Sequence, residues 1–276
     1  MSPAVFSRPR ACLSGMLAAG VFLLLLIVTA RAAAHPALDL DQEEIAWRAA
    51  HPTLRVGVFA GDHMPLEAWM GGQPEGLGID YARLLASRAG LQIAFHPFTD
   101  WDAVASRSAR QPPPFDLLLA LPNTRGNDAN FRLLRPYLSA APILVTRRND
   151  TRTRDQRDLA SARILIERRF HDTIARLQQR YPHAVLLYCD TGLQCLESLA
   201  RGEADAYIGV TAARTRALLA SRRASDLALS GTAGLPALSF SPAVRPDAAP
   251  LASLLDKAAA TITESELERL RDRWGF

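Results

Sequence analysis

The chain is 276 residues long, with 32 Lys and Arg against 28 Asp and Glu and a formal net charge of +4. Arg8, Arg10 and Arg31 lie in an N-terminal segment that reads as removable; without it about 240 residues and a charge of +1 remain, comfortable for two lobes and large for one core. That balance, with no Lys/Arg run interleaved with aromatics, gives no nucleic-acid footprint, and the near-absence of lysine (Lys257 alone) reads as base composition.

Arg8 and Arg10 form a short basic start, the run Leu13 to Ala30 is apolar, and Ala32-Ala33-Ala34 closes it with small residues. Those parts in that order are what a secretory signal peptide needs, with the cut expected after Ala34. The alternative is an uncleaved inner-membrane anchor, since about 18 apolar residues just span a bilayer. Cys12 precedes the apolar run and is not placed like a lipid-modified cysteine. No later stretch is long and apolar enough to cross a membrane, so the remainder is expected to be soluble in the periplasm.

Residues 35–52, rich in Asp, Glu and Ala, form a helical or loose lead-in. Leu54 to Phe59 reads as a buried strand, and Gly61, Pro65 and Gly71-Gly72 mark a loop with a turn. Asp80 is expected to open a helix that Gly90 stops, and Leu91 to Phe95 is a second strand. Trp101 to Arg107 reads as a short helix, and Phe115 to Ala120 is apolar enough for a strand covered on both faces. Pro142 to Arg147 is a further strand. The charged segment Arg148 to Asp158 lacks apolar periodicity and marks a boundary.

The alternation then restarts: strands at 163–166, 184–188 and 206–210, with helices at 170–181, 193–201 and 211–221. Leu238 to Val244 is a strand, and two helices, 250–262 and 264–274, finish the chain, the second capped by Thr263 with Glu266 in a capping box. Such strand–helix alternation implies parallel βαβ units. The expected organisation is an α/β chain with a first lobe at 53–147, a second at 148–236, and a return to the first lobe at 237–276. Ligands in such sheets bind outside the carboxyl ends of the strands, here in the cleft between lobes.

Cys189 and Cys195 remain after the leader, and an oxidising compartment permits a disulfide if the strand-to-helix turn between them is tight. A metal site is disfavoured, because the six histidines show no ligand spacing. No phosphate-binding glycine loop, nucleophile elbow or Ser/His/Asp set stands out.

The order of several short motifs resembles the family 3 solute-binding proteins of the type 2 periplasmic binding fold, over about residues 53–276. These are Leu54-Arg-Val-Gly-Val, Met64-Pro65-Leu66, Gly76-Leu-Gly-Ile-Asp80-Tyr, Gly90-Leu-Gln-Ile, Trp101-Asp102, Phe115-Asp116, Arg135-Pro136-Tyr137, Tyr181-Pro182, Gly202-Glu-Ala-Asp205-Ala-Tyr-Ile-Gly209 and Arg273-Trp274. The Pro-Tyr and Ala-Asp-Ala-Tyr-Ile-Gly forms look closest to Venus-flytrap sensor domains of bacterial histidine kinases. The resemblance implies two lobes, each a mostly parallel sheet flanked by helices, closing on a small-molecule solute without a cofactor. It implies a membrane permease or a sensor kinase as partner. The chain stops after its last helix, so a stand-alone binding protein is the plainer expectation; a monomer is expected, and no enzyme, because no paired acid and base stands out.

Two family positions depart. Amino-acid binders of the family carry an Arg after the third strand that holds the ligand carboxylate with two parallel hydrogen bonds. Here the loop reads Asn123-Thr124-Arg125-Gly126-Asn127, which puts Asn127 at the usual place and Arg125 two residues away. Either Arg125 swings in or the site lacks a full charge there. The family's Asp for the ligand ammonium falls on Val210. An ammonium buried without a carboxylate is heavily penalised, so an ordinary α-amino acid is disfavoured and an uncharged or anionic solute fits better.

His63, Met64 and Pro65 are candidates for lining the pocket, and Trp69 for stacking on the solute, whereas Trp101 is expected in the core. Thr191 and Gly192 open a helix whose N–H groups suit an anion, though Thr191 serves equally as a plain N-cap. Asp80 is read as a cap and Asp116 and Asp205 as structural, while Glu167-Arg168-Arg169 could supply pocket charge but is read as a solvated turn. A second class of function is a cyclohexadienyl- or arogenate-dehydratase-like enzyme on the same fold, which needs an acid poised in the cleft, with Glu67, Glu167 or Asp190 as candidates. A third is a periplasmic accessory protein of a quinoprotein dehydrogenase, its cleft filled by its own side chains.

Overall fold

The computed structural model of the chain describes residues 37–61, 63–100, 103–104, 114–124, 131–150, 156–222 and 225–276. The leader segment, Trp101, Arg125 and Asn127 lie outside the described residues. No helix among the described residues is long and apolar enough to cross a membrane.

The lead-in forms helix α1 (Gln42–Ala50), capped by Asp41 with Glu44 three residues on, in a capping box. The first lobe is built on a sheet of order β4-β1-β5-β13-β6, with β7 also paired to β13. Its strands are β1 (Thr53–Phe59), β4 (Gln92–Phe98), β5 (Leu117–Pro122), β6 (Arg132–Leu133), β7 (Leu138–Ala140) and β13 (Leu238–Val244). β1 runs parallel to β4 and β5, and β13 runs antiparallel to β5. One face is covered by α2 (Leu77–Ala89) and α6 (Ala249–Ala260), burying Leu54, Val56, Val58, Ile79, Leu85, Leu251 and Leu255 in one core. A hairpin, β2 (Ala68–Met70) and β3 (Gln73–Glu75), turns at Gly71 and Gly72, both at positive φ as such a turn requires.

The second lobe has the order β10-β9-β11-β8-β12. Its strands are β8 (Ile143–Arg147), β9 (Arg163–Glu167), β10 (Val185–Cys189), β11 (Ala206–Gly209) and β12 (Leu227–Thr232), with helices α3 (His171–Arg180), α4 (Gly192–Ala200) and α5 (Ala212–Arg222). Successive side chains of a strand point to opposite faces, so Ile164 and Ile166 enter one core and Leu165 another; Ala206, Ile208 and Tyr207 divide the same way. Both faces are covered, which is why these strands read as continuous apolar runs.

Each lobe closes the amino edge of its sheet with one arrangement. The Arg55 backbone N–H and guanidinium both donate to Asp116, and Arg163 does the same to Asp205. These are the structural aspartates of the strand starts.

Three features differ from the sequence reading. β8 pairs with β11 and β12, so the chain crosses between lobes at 141–142, before the charged segment at 148–158 that marked the boundary. β12 is an additional strand, its sequence Leu-Ala-Leu-Ser-Gly-Thr too short and weakly apolar to signal itself. Helix α2 begins at Leu77 with Gly76 as its N-cap, so Asp80 sits inside the first turn rather than before it. Asp80 instead accepts from the Trp274 Nε1–H at 3.0 Å and pairs with Arg83 and Arg273, tying α2 to the C-terminal turn. Helix α7 (Glu264–Arg273) carries the Thr263–Glu266 capping box. Beyond it, the Gly275 carbonyl accepts from Arg216 of α5 at 2.6 Å, a contact between the first-lobe terminus and the second lobe.

Cys189 and Cys195 are joined in a disulfide, their Cα atoms 5.6 Å apart across the turn from β10 into α4. A loop this short removes little chain entropy, so reduction is expected to lower stability by roughly 2 kcal/mol. Urea unfolding with and without a reductant measures it; an unchanged midpoint means the bond does not constrain the unfolded chain.

Candidate functional site

The loop after β1 follows Phe59, where the first lobe meets Arg169 of the second. Its carbonyls cap α2: Leu77 N–H donates to Pro65 O at 2.9 Å and Gly78 N–H to Leu66 O at 2.8 Å. A Cβ on Gly76, whose φ is 127°, would lie 2.5 Å from Leu66 O, so glycine alone lets loop and helix meet. The Met64–Pro65 peptide is cis.

Within this loop His63 and Glu67 are buried against each other, His63 Nδ1 lying 3.3 Å from Glu67 Oε1, while Phe59 N–H donates to Glu67 Oε2 at 3.3 Å. Burial pushes the Glu67 carboxyl up to about 8, against the opposing pull of the Phe59 N–H and Arg169. Burial also drives His63 well below its usual value, helped by the positive charges of Arg169 and Arg214. At neutral pH the pair is therefore a carboxylic acid beside a neutral imidazole. The buried Tyr137 hydroxyl has no hydrogen-bond partner among the described residues, and burial, then Glu67, raises its ionisation well above the ordinary range.

The second-lobe wall centres on Glu167, at the carboxyl end of β9 and fully buried. The Arg214 guanidinium, also fully buried, donates to both its oxygens, at 2.6 and 3.0 Å. Arg169 adds two bonds, at 2.9 and 3.2 Å, and the Tyr207 hydroxyl a fifth at 3.0 Å. The Glu167 segment is thus no solvated turn. The sequence signal was available in α5: Arg214 lies one turn before the buried Leu218 on the same helical face, so its charge had to find a partner inside.

The two walls touch. Arg169 stacks over Phe170 of its own lobe at 4.9 Å and over Phe59 of the first lobe at 5.7 Å. Phe59 in turn packs against Phe98, and Phe98 against Phe115, with the Phe59 ring edge on His63.

The remaining candidates divide. His63 and Pro65 are buried in the loop and Met64 is partly exposed, whereas Trp69 lies on β2 against the first-lobe core. Asn123 is exposed and its backbone N–H is held by Ser239 O; Thr124 is buried, its hydroxyl without a partner among the described residues. Val210 is buried at the end of β11, and Thr211 after it caps α5 by accepting from Arg214 N–H. Thr191 is an N-cap: its hydroxyl accepts from Gln194 N–H, and the Gln194 side chain takes the N–H groups of Asp190 and Thr191. That helix end is occupied by its own chain. Asp190 is exposed, 3.6 Å from an equally exposed Arg168, a pair worth little.

No group of three metal-ligating side chains occurs among the described residues. A surface pocket of about 460 Å³ lies at the opposite edge of the second-lobe sheet, lined by Arg147, Arg148, Asp150 and Asp226. Its arginines are committed to backbone carbonyls of Leu199, Ala204, Ser225 and Leu227, so it is a structural corner rather than the cleft.

Comparison with known proteins agrees with this architecture. Residues 54–276 match the model of the bacterial extracellular solute-binding proteins, family 3. The virulence sensor protein BvgS of Bordetella pertussis is 27% identical over 238 residues, covering 86% of this chain and 19% of the sensor. This chain thus spans about a fifth of that relative's length. The crystal structure of the Bordetella pertussis BvgS periplasmic VFT2 domain superposes with a TM-score of 0.77 at 24% identity, covering 86% of this chain and all of that one. A histidine kinase sensor domain similar to periplasmic binding proteins gives 0.66 at 21% identity, over 82% of this chain and 97% of that one. Those two share the fold.

Proposed function

Because the chain belongs to the bacterial extracellular solute-binding proteins of family 3, we propose that it is a periplasmic module whose lobes close on a small solute lacking an α-ammonium group. One observation carries the solute class. The Glu167 carboxylate at the carboxyl edge of the second lobe is spent on Arg214, Arg169 and Tyr207, and the next candidate position, Val210, is apolar. A ligand ammonium would be desolvated there without a counter-charge, which costs several kcal/mol, on the order of what a solute gains by binding. The N-terminal signal-like segment supports export. The likeness to a sensor protein supports signalling to a membrane partner over uptake through a permease, with the module itself monomeric.

Closure is a population shift, so a solute that touches both lobes raises thermal stability by linkage, about 2.7 kcal/mol at a hundredfold excess over Kd. A thermal-shift panel of amino acids, small carboxylates, sugars and neutral amides tests this. The expected result is a saturable rise with an uncharged or anionic solute and none with α-amino acids. A saturable rise with ordinary amino acids overturns the assignment.

A second reading, a lyase acting on a cyclohexadienyl acid, is favoured by Glu67 alone, whose carboxyl is held protonated to about 8 as a general acid would be. Its proton faces His63 inside the loop, which argues for the binding reading. An assay for phenylpyruvate formed from prephenate decides between them.

A further inference from the structure

Glu167 is wholly buried at the edge of the sheet where a solute would meet the second lobe. Around its two oxygens stand a guanidinium presenting two parallel donors, a second guanidinium and a phenol. That is the donor set with which proteins recognise a monocarboxylate. The neighbouring helix packs closely on it: a Cβ on Gly192, the first residue of α4, would lie 2.5 Å from Leu218 Cδ1, 3.1 Å from Glu167 Oε1 and 3.3 Å from Arg214 Nη1.

Stability alone does not explain the arrangement. Burying ions is costly, and apolar residues of similar volume commonly serve a core as well or better. The ion pair that closes this sheet structurally, Arg163 with Asp205, sits at the opposite edge with its arginine half exposed. Glu167 and Arg214 are instead both fully enclosed, in the wall that Arg169 carries against Phe59 of the other lobe.

We propose that Glu167 is the chain's own occupant of a monocarboxylate site: it fills the anion position of the second-lobe wall and excludes carboxylate solutes from it. Its consequence for solute choice rests on the proposed function of the cleft; the anion position itself does not. A carboxylate-bearing solute is then admitted only with its charged end toward the first lobe, and removing Glu167 uncovers a position for a free small carboxylate.

The test is Glu167→Ala, which deletes a group the size of acetate. Melting temperatures are read in sodium acetate and in sodium chloride at equal ionic strength. The variant is expected to melt well below the native protein in chloride and to recover most of the loss, saturably, in acetate. The native protein and Glu167→Gln, whose amide fills the space, are expected to show no acetate-specific rise. Should the alanine variant fail to fold in chloride, its refolding yield from urea in acetate against chloride is the same comparison. Equal behaviour of Glu167→Ala in the two salts, or an equal acetate gain by Glu167→Gln, overturns the proposal. The two readings fail separately: acetate recovery with no solute found keeps the site and removes the solute function, and a solute found without acetate recovery does the reverse.

Discussion

Replacing Arg214 with methionine is expected to lower the unfolding free energy by roughly 3–5 kcal/mol, as breaking a buried ion pair does. Both partners are fully enclosed, and Arg214 donates to both oxygens of Glu167, at 2.6 and 3.0 Å. Without it the carboxylate keeps Arg169 and Tyr207 but loses its buried counter-charge. Arg214→Lys is expected to recover little, because a single ammonium cannot bridge both oxygens and also lie 5.8 Å above the Phe170 ring. The double variant Arg214→Met with Glu167→Leu is expected to regain most of the loss, since no charge is then stranded. Urea unfolding followed by far-UV circular dichroism measures all three. A loss below about 1 kcal/mol for Arg214→Met contradicts a buried pair, being the value of an exposed one.

Between pH 6.5 and 8 the protein is expected to lose roughly 2 kcal/mol of stability, and Glu67→Gln is expected to remove that slope. Glu67 ionises near 8 in the folded chain against 4.5 when free. A folded value above the unfolded one means stability fully present below 4.5 and lost as pH rises through about 8. His63 works the other way: held well below 6.5 by burial, it contributes stability above 6.5 that is lost as pH falls. Below 6.5 the two slopes oppose each other. Above 6.5 the unfolded-state His63 loses its remaining half proton within about one pH unit, an opposing contribution of only about 0.4 kcal/mol, so Glu67 dominates, over about 1.5 pH units at about 1.4 kcal/mol each. The other groups facing the pair are the guanidiniums of Arg169 and Arg214 and the Tyr137 phenol, which burial pushes far to the alkaline side. Unfolding midpoints at pH 6.5 and 8.5 read the difference. A native protein whose stability is flat across that interval, or a Glu67→Gln variant that declines equally, removes Glu67 as the cause.

How much was legible depends on the range of the signal. The strands at 54–59, 163–166 and 238–244, the helices that follow the last two and the Thr263 cap are written in neighbouring residues, because apolar periodicity and capping act within a few positions. They are found where that pattern puts them. Asp80 was misplaced as a cap because the real one uses no side chain: loop carbonyls of Pro65 and Leu66 reach α2 only through the closeness that Gly76 allows. The crossing at 141–142 was missed because a strand's partner is not encoded in its own residues.

The two-lobed α/β class and most of its strand–helix alternation followed from the sequence by itself, and with them the family. Only the tertiary structure decided the surroundings of Glu167. Glu167, Arg169, Tyr207 and Arg214 come from three segments spread over 48 residues, and their charges are buried only once β9, β11 and α5 pack together. Desolvation is a property of that assembly, so the carboxylate read along the chain as a solvated turn became the most enclosed anion of the site.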